Sequence, residues 1–305
     1  MALKRYSLIR VLVALATVAA GAVGPTGAVA AADPGRSAIF GGGPFYSGGQ
    51  QDVDVLRSSG FTTVIVWSVH VDEDGSLGLN DTRIVTNGAY VGDPGWPGRL
   101  RALKQQPTSV DRVEVSVGSA GVRDWENIRD LIAEQGTGPD SVLFKNFRAL
   151  KDATGADAIN TDDESAYDVA STVAFARMAE RIGFRNFTFA PYEEIPYWQG
   201  VKQELGPLVD RVYLQVYAGG ADNDPAGWAR ALGMPVDPGL WSKHGDGCAA
   251  GDSPEAVEER MRGWKASAGI PGGFMWLYDD IRKCAESGGP TAREYARAIN
   301  AATAG

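Results

Sequence analysis

Eight short runs rich in Val, Ile, Phe, Tyr and Trp recur along the chain, and stretches of helical pattern fill most of the gaps between them. The runs are residues 38–42 (AIFGG), 63–69 (TVIVWSV), 113–118 (VEVSVG), 156–161 (ADAINT), 187–190 (FTFA), 212–217 (VYLQVY), 236–240 (VDPGL, the weakest) and 273–278 (GFMWLY). Runs this short and this rich in β-branched and aromatic residues read as strands. Helical patterns cover residues 52–59, 122–135, 139–154, 166–182, 197–208, 254–268 and 290–302. One of them opens Ser253-Pro254-Glu255, an N-cap, a first-turn proline and an acid at the positive end of the helix. Strands alternating with helices imply a parallel sheet. An open doubly wound sheet usually carries a G-x-G-x-x-G turn after its first strand, and Gly41-Gly42-Gly43-Pro44 lacks that spacing. Eight units in one α/β domain fit a (β/α)8 TIM barrel. Residues 72–96, rich in Gly and Asp, read as an insertion after the second strand that forms a hairpin on the rim.

Residues 1–32 read as a signal peptide. Lys4, Arg5 and Arg10 form a basic front, an apolar run follows over 11–23, and Ala28-Val29-Ala30 offers small residues to a peptidase. That run is too short to span a bilayer comfortably, and no later stretch is apolar enough. The expected product is an exported, soluble, monomeric chain, residues 33–305, with no membrane association after cleavage. The chain has 29 basic and 38 acidic residues. Removing the three basic residues of the leader leaves 26 against 38, a formal charge of −12. Such a chain is a poor partner for nucleic acid or anionic lipid, and neutral ligands such as sugars remain open. Cys248 and Cys284, the two cysteines, are expected to form a disulfide in an exported protein. His70 and His244 stand apart from them and from each other, so no Cys/His metal site is expected, and no cofactor.

Residues 157–168, DAINTDDESAYD, close the fourth strand with a crowd of acids. Asn160, Asp162 and Glu164 are spaced by two, which puts all three on one face of a strand. In a barrel of this kind, chemistry gathers at the C-terminal ends of the strands. Two adjacent carboxyls raise each other's proton affinity, so one can stay protonated near neutral pH and act as a general acid. Two carboxyls also suit glycoside hydrolysis. A solvated acidic loop and an oxygen-ligand calcium site fit the same composition.

DAINTDDE resembles the D-x-x-D-x-D-x-E signature of family 18 glycoside hydrolases, with Asp157, Asn160, Asp162 and Glu164 on the four signature positions. The form N-T-D-D-E is most similar to secreted bacterial endo-β-N-acetylglucosaminidases. Residues 115–119 (VSVGS) resemble the S-x-G-G of the third strand, Gln215-Val216-Tyr217 the sixth-strand motif, and Gly273-Phe274-Met275-Trp276 the last strand. The resemblance covers roughly residues 37–280. It implies a (β/α)8 barrel that cleaves β-linked N-acetylglucosamine in an oligosaccharide or glycan by substrate-assisted catalysis with retention. Glu164 would protonate the glycosidic oxygen. Asp162 would hold the acetamido N–H, Tyr217 would hydrogen-bond the acetamido oxygen, and Trp276 would form the floor of the sugar site. Asn160 departs from the usual Asp, which shares a proton with the central Asp, and an amide cannot take up that charge. Ala218 follows Tyr217 where many chitinases have Asp. These departures imply lower activity or an unusual substrate, and the alternative reading is a carbohydrate-binding barrel that is catalytically weak or inactive.

Further expected sugar contacts are Trp67, Tyr192, Gln215 and Asn160, with Trp96, Trp198 and Trp241 as rim platforms. Glu193 is expected either to bind a sugar hydroxyl or to sit at a helix N-terminus. Asp279 and Asp280 are expected to contact hydroxyls or to cap the final loop. Trp125, Trp228 and Trp264 lie in helical patterns and are expected to pack between helices and barrel.

Overall fold

The structure is a computed structural model and describes residues 35–243 and 247–305 of the 305-residue chain. The expected export segment, 1–32, and His244 lie outside the described residues.

Eight parallel strands close a barrel. They are β1 (Arg36–Gly41), β2 (Thr63–Val71), β6 (Arg112–Val117), β7 (Ala158–Thr161), β8 (Asn186–Phe189), β9 (Val209–Gln215), β10 (Asp237–Trp241) and β11 (Gly272–Trp276). Each pairs with the next, and β1 pairs with both β2 and β11, which closes the ring. The described residues form a single-domain (β/α)8 barrel. The weak run 236–240 is a full member, although Pro238 and Gly239 dilute its strand pattern.

Two short helices, α1 (Gly43–Ser47) and α2 (Gly49–Arg57), join β1 to β2. The insertion is a meander of β3 (Leu77–Leu79), β4 (Thr82–Thr86) and β5 (Ala89–Tyr90) that continues antiparallel from β2. It ends in a short helix, α3 (Trp96–Ala102). Trp96 is not a rim platform. Its ring is buried between Tyr46 and Tyr90, and its Nε1 donates to the Phe45 carbonyl at 2.9 Å.

The outer helices are α4 (Asp124–Gln135), α5 (Val142–Thr154), α6 (Val169–Ile182), α7 (Ile195–Leu205), α8 (Pro225–Leu232), α9 (Pro254–Ala268), α10 (Tyr278–Glu286) and α11 (Ala292–Thr303). Side-chain caps fix several starts: Ser141, Asp168, Asp224 and Ser253 each accept from a backbone N–H of the first turn, and Thr291 with Glu294 forms a capping box. The short helix α8 has no range among the helical patterns above, although Trp228 within it is expected to lie in one; glycine and alanine blur its apolar stripe. The run expected as strand to residue 278 stops at Trp276, and Tyr278 begins α10. Among the described residues no helix is long and apolar enough to cross a membrane.

Two apolar cores result. One fills the space between barrel and helices. The other lies inside the barrel, where Ala38, Phe40, Ile65, Tyr213, Tyr217 and Phe274 pack under Trp67, Trp241 and Trp276. Phe40 and Tyr213 meet edge-on at 5.9 Å, and Tyr213 and Phe274 do so at 5.8 Å. The Cys248–Cys284 disulfide forms as expected, with Cα atoms 5.7 Å apart, and ties the segment after β10 to α10.

Gly239 makes room for this inner core. A Cβ there would lie 2.0 Å from the Phe274 ring. Gly239→Ala should therefore push Phe274 off its rotamer and destabilise the barrel by about 1–3 kcal/mol, the usual range for overpacking. Urea unfolding checks this; an unchanged midpoint would show that the ring has slack.

Candidate active site

At the C-terminal mouth of the barrel, residues of seven strands or of the segments just past them converge on one cavity of about 420 Å³. Trp67 comes from β2, Ser119 and Ala120 follow β6, and Asp162 and Glu164 follow β7. Tyr192 follows β8, Gln215 ends β9, and Tyr217, Ala218 and Gly219 follow it. Trp241 ends β10 and Trp276 ends β11.

The ladder between β6 and β7 places the acids. Asn160 pairs with Ser116 and Thr161 with Val117, and the Asp162 N–H extends the ladder by donating to the Val117 carbonyl at 2.9 Å. Gly118 permits that approach. Its φ is +104°, and a Cβ would fall 2.2 Å from the Asp162 carbonyl oxygen.

The Asp162 carboxylate lies deep in the cavity, 3 % exposed. Its Oδ2 accepts from Trp67 Nε1 at 3.1 Å, and its Oδ1 accepts from Gln215 Nε2 at 3.3 Å. Gln215 Nε2 also donates to the Ala190 carbonyl at 2.9 Å, which holds the amide in place. Burial pushes the Asp162 proton affinity well above the usual carboxylate range, and the negative charge of Glu164 adds to it. Glu164 is half-buried, and burial also raises its proton affinity, opposed by hydrogen bonds to Gln215 and Asp162. Two carboxyls joined by a hydrogen bond in one desolvated site retain a proton between them.

Five aromatic residues, Tyr192 among them, wall the cavity around this pair. Tyr217 lies between Trp241, at 5.8 Å and 26°, and Trp276, at 5.9 Å and 28°. Trp276 meets Trp67 edge-on at 4.7 Å. Burial, then the nearby charges of Asp162 and Glu164, keep the Tyr217 hydroxyl protonated well past its ordinary range. It is a neutral donor at the edge of the site.

Asp163, which the pattern of alternating acids did not single out, fixes the backbone around Glu164. Its Oδ1 accepts from the N–H groups of Ser165 and Ala166, at 3.1 and 3.0 Å. Its Oδ2 accepts from the Tyr167 N–H and from the Tyr197 hydroxyl, both at 3.0 Å. Tyr167, at φ 46°, sits in the left-handed region and is held there by that bond. The sequence signal is Asp163-Glu164-Ser165-Ala166, an acid two residues before a serine, the composition of a side-chain-capped turn.

The structure thus unites Glu164, Asp162, Tyr217, Trp276, Trp67, Tyr192 and Gln215, with Trp241 added. Asn160 is a correction. It is fully buried one layer below the cavity, bonded to Ser116 and Thr188, and does not line the cavity. Its side chain points to the axis as the spacing implies, but two residues of strand rise put it too deep. Trp198 is likewise buried, against Phe189, with its Nε1 on the Glu193 carbonyl. Glu193 faces outward and accepts from the Tyr167 hydroxyl at 3.1 Å. Asp157 lies at the other end of β7, accepting from Lys104 at 2.6 Å and the Val113 N–H at 3.0 Å. Asp279 accepts from the Gly42 and Gly43 N–H groups, so it closes the loop after β1.

His70 bridges Ser68, at 3.2 Å, and Asp124, at 2.8 Å, in a chain shaped like an acyl-transfer triad. Ser68 is fully buried, so its hydroxyl is not offered to a substrate; the chain ties β2 to the start of α4.

No family profile matches the sequence, and no curated protein does. Solved structures do match. One is a fungal endo-β-N-acetylglucosaminidase of glycosyl hydrolase family 18, with TM-score 0.62 and 17 % identity over 88 % of this chain and 99 % of that one. A chitinase from Bacteroides thetaiotaomicron has TM-score 0.59 and 12 % identity over 88 % and 97 %. A family 18 chitinase from Cycas revoluta, solved in complex with allosamidin, has TM-score 0.57 and 13 % identity over 86 % and 99 %. The fold is that of the family 18 glycoside hydrolases. At these identities the likeness extends to the barrel, and the family 18 reading of the individual residues rests on the motifs and the geometry above.

The raised carboxyls have a thermodynamic signature. A group that binds its proton more tightly folded than unfolded gives full stability below the unfolded carboxyl range, about pH 4, and loses it as pH rises toward the folded value. Glu164→Gln, which imitates the protonated acid, should match the parent's Tm near pH 4 and exceed it at pH 8. Each kcal/mol gained is worth roughly 2–4 °C in a chain of this size. Calorimetry across that range checks it; a gap constant with pH would mean that the pair is not strained by its charge.

Proposed function

We propose that the chain is an exported glycoside hydrolase that cleaves β-linked N-acetylglucosamine in an oligosaccharide or glycan, with retention and with the substrate's own acetamido group as nucleophile. The observation that carries this reading is the hydrogen-bonded pair Asp162 and Glu164, desolvated inside an aromatic cavity. A carboxyl kept protonated above its usual range is a general acid at neutral pH. A cavity with flat apolar walls and few polar groups suits the faces of sugar rings. The family 18 neighbours, among them an endo-β-N-acetylglucosaminidase and a chitinase bound to allosamidin, support the substrate class.

The steps follow from the groups present. Glu164 gives its proton to the glycosidic oxygen as the bond to the anomeric carbon breaks. The acetamido carbonyl oxygen of the same sugar bonds to that carbon, which forms a cyclic oxazoline-like intermediate. Asp162 takes the acetamido N–H and balances the positive charge, and the Tyr217 hydroxyl orients the acetamido group. Glu164, now a carboxylate, removes a proton from water as it opens the ring from the face that the leaving group vacated. Two inversions give net retention.

Export is part of the proposal. The basic front, the apolar run and Ala28-Val29-Ala30 support a cleaved leader, and the Cys248–Cys284 disulfide suits an oxidising compartment.

The test uses residues 33–305 on chitin oligosaccharides and a high-mannose glycopeptide, with products read by mass spectrometry. The parent should release product. Glu164→Gln should lower kcat by about 10²–10⁴-fold, the usual worth of a positioned acid, while binding of the same oligosaccharide survives. If parent and variant bind alike and neither turns over any N-acetylglucosamine substrate, the chain is a carbohydrate-binding barrel.

A further inference from the structure

One layer of the barrel beneath the acids has its hydrogen bonds fixed in direction. Ser116, Asn160 and Thr188 lie side by side on β6, β7 and β8, in register. All three are fully buried. Ser116 Oγ donates to Asn160 Oδ1 at 2.8 Å, and Asn160 Nδ2 donates to Thr188 Oγ1 at 3.0 Å. Thr188 Oγ1 donates to Glu114 Oε2 at 2.6 Å. The chain ends there. Glu114, fully buried, also accepts from the Tyr213 hydroxyl at 2.9 Å and pairs with Arg112 at 2.6 Å.

A threonine hydroxyl has one proton. Here it is committed to the Glu114 carboxylate, so Thr188 shows residue 160 only a lone pair. Residue 160 must therefore donate toward β8, and here it also accepts from Ser116 on β6. A carboxamide does both at every pH. A carboxylate cannot donate, and a carboxylic acid donates only while it keeps its proton. Asp162, two residues on, takes its side-chain bonds from Trp67, Gln215 and Glu164.

We propose that Asn160 is a positioning residue whose amide is dictated by Glu114, and that it seals the acid pair off from the barrel interior so that their proton is exchanged between Asp162 and Glu164 alone. Asparagine at this position is thus one half of a matched pair with Glu114 and not a damaged aspartate. Two charged carboxylates would otherwise flank Thr188 in a space closed to water. The groups that face this layer are Glu114 and Arg112 on β6, Arg211 and Tyr213 on β9, and Asp237 on β10, which pairs with Arg36 of β1 at 2.8 Å. Asp162 lies above it.

The activity arm of the test rests on the proposed hydrolysis, and the stability arm does not, so the two ideas fail separately. Asn160→Asp should fold at pH 5, with its acid protonated and donating to Thr188, and should lose Tm relative to the parent by on the order of 5 °C between pH 5 and pH 8. Over the same range its kcat should fall about tenfold or more against the parent, with KM little changed. Asn160→Leu, which removes both bonds and adds no charge, should lose stability equally at both pH values. In a Glu114→Gln background, where the new amide can donate to Thr188 and release its proton toward residue 160, the pH-dependent penalty of Asn160→Asp should shrink by half or more. Arg112 keeps Asp210, at 2.6 and 3.0 Å, in that background. A kcat raised by Asn160→Asp at pH 8, or an Asn160→Asp penalty identical in the parent and in the Glu114→Gln background, would overturn the proposal. Should Glu114→Gln not fold, an Asn160→Asp penalty as flat with pH as that of Asn160→Leu would overturn it as well.

Discussion

Two adjacent carboxyls, Asp162 buried and Glu164 half-buried above it, are the constraint around which this barrel is arranged. Desolvation disfavours each charge, and proximity disfavours the second. The site can tolerate the pair only by keeping a proton in it. That same retained proton is what a general acid needs at neutral pH. Much of the surrounding structure serves to keep the two groups together. The β6–β7 register and the bare backbone of Gly118 bring Asp162 in. Trp67 and Gln215 satisfy its oxygens, and Asp163 holds the turn from which Glu164 projects.

The aromatic wall and the polar interior divide the work by depth. At the mouth, Tyr217, Trp241 and Trp276 stack around the acids and present flat faces to a ligand. One layer down, the polarity reverses. Ser116, Asn160 and Thr188 form a one-way hydrogen-bond chain onto Glu114, whose charge is met by Arg112 and Tyr213. The lower layer is thus a fixed hydrogen-bonded floor, and the upper layer is where the proposed hydrolysis would move protons.

The barrel was legible because short β-rich runs alternate with helical patterns along the chain, and the acids fall at a strand end. The mouth residues Asp162, Glu164, Tyr217 and Trp276 were legible for the same reason, since a residue just past a barrel strand has one place to go. Depth was not legible. Asn160 shares a face with Asp162 and Glu164, but a period of two fixes the side and not the height at which a side chain meets solvent. Trp96 and Trp198 show the same limit, because a large ring that follows a loop or opens a helix can turn either way until the packing partners Tyr46, Tyr90 and Phe189 are in place. Asp163 is hard to single out because three of its four partners are backbone N–H groups, and only the turn-like composition after it points to them.

The closeness of Asp162 and Glu164 has a stereochemical consequence. An inverting glycosidase separates its two carboxyls by roughly 6.5–9.5 Å to hold a water between them, and a hydrogen-bonded pair leaves no such room. The most direct measurement is the anomeric configuration of the first product, followed by proton NMR during cleavage of a chitin oligosaccharide before mutarotation sets in. The β-anomer, appearing first, is the result the geometry predicts. The α-anomer appearing first would mean that water attacks from the opposite face and that the two acids do not work as a hydrogen-bonded pair.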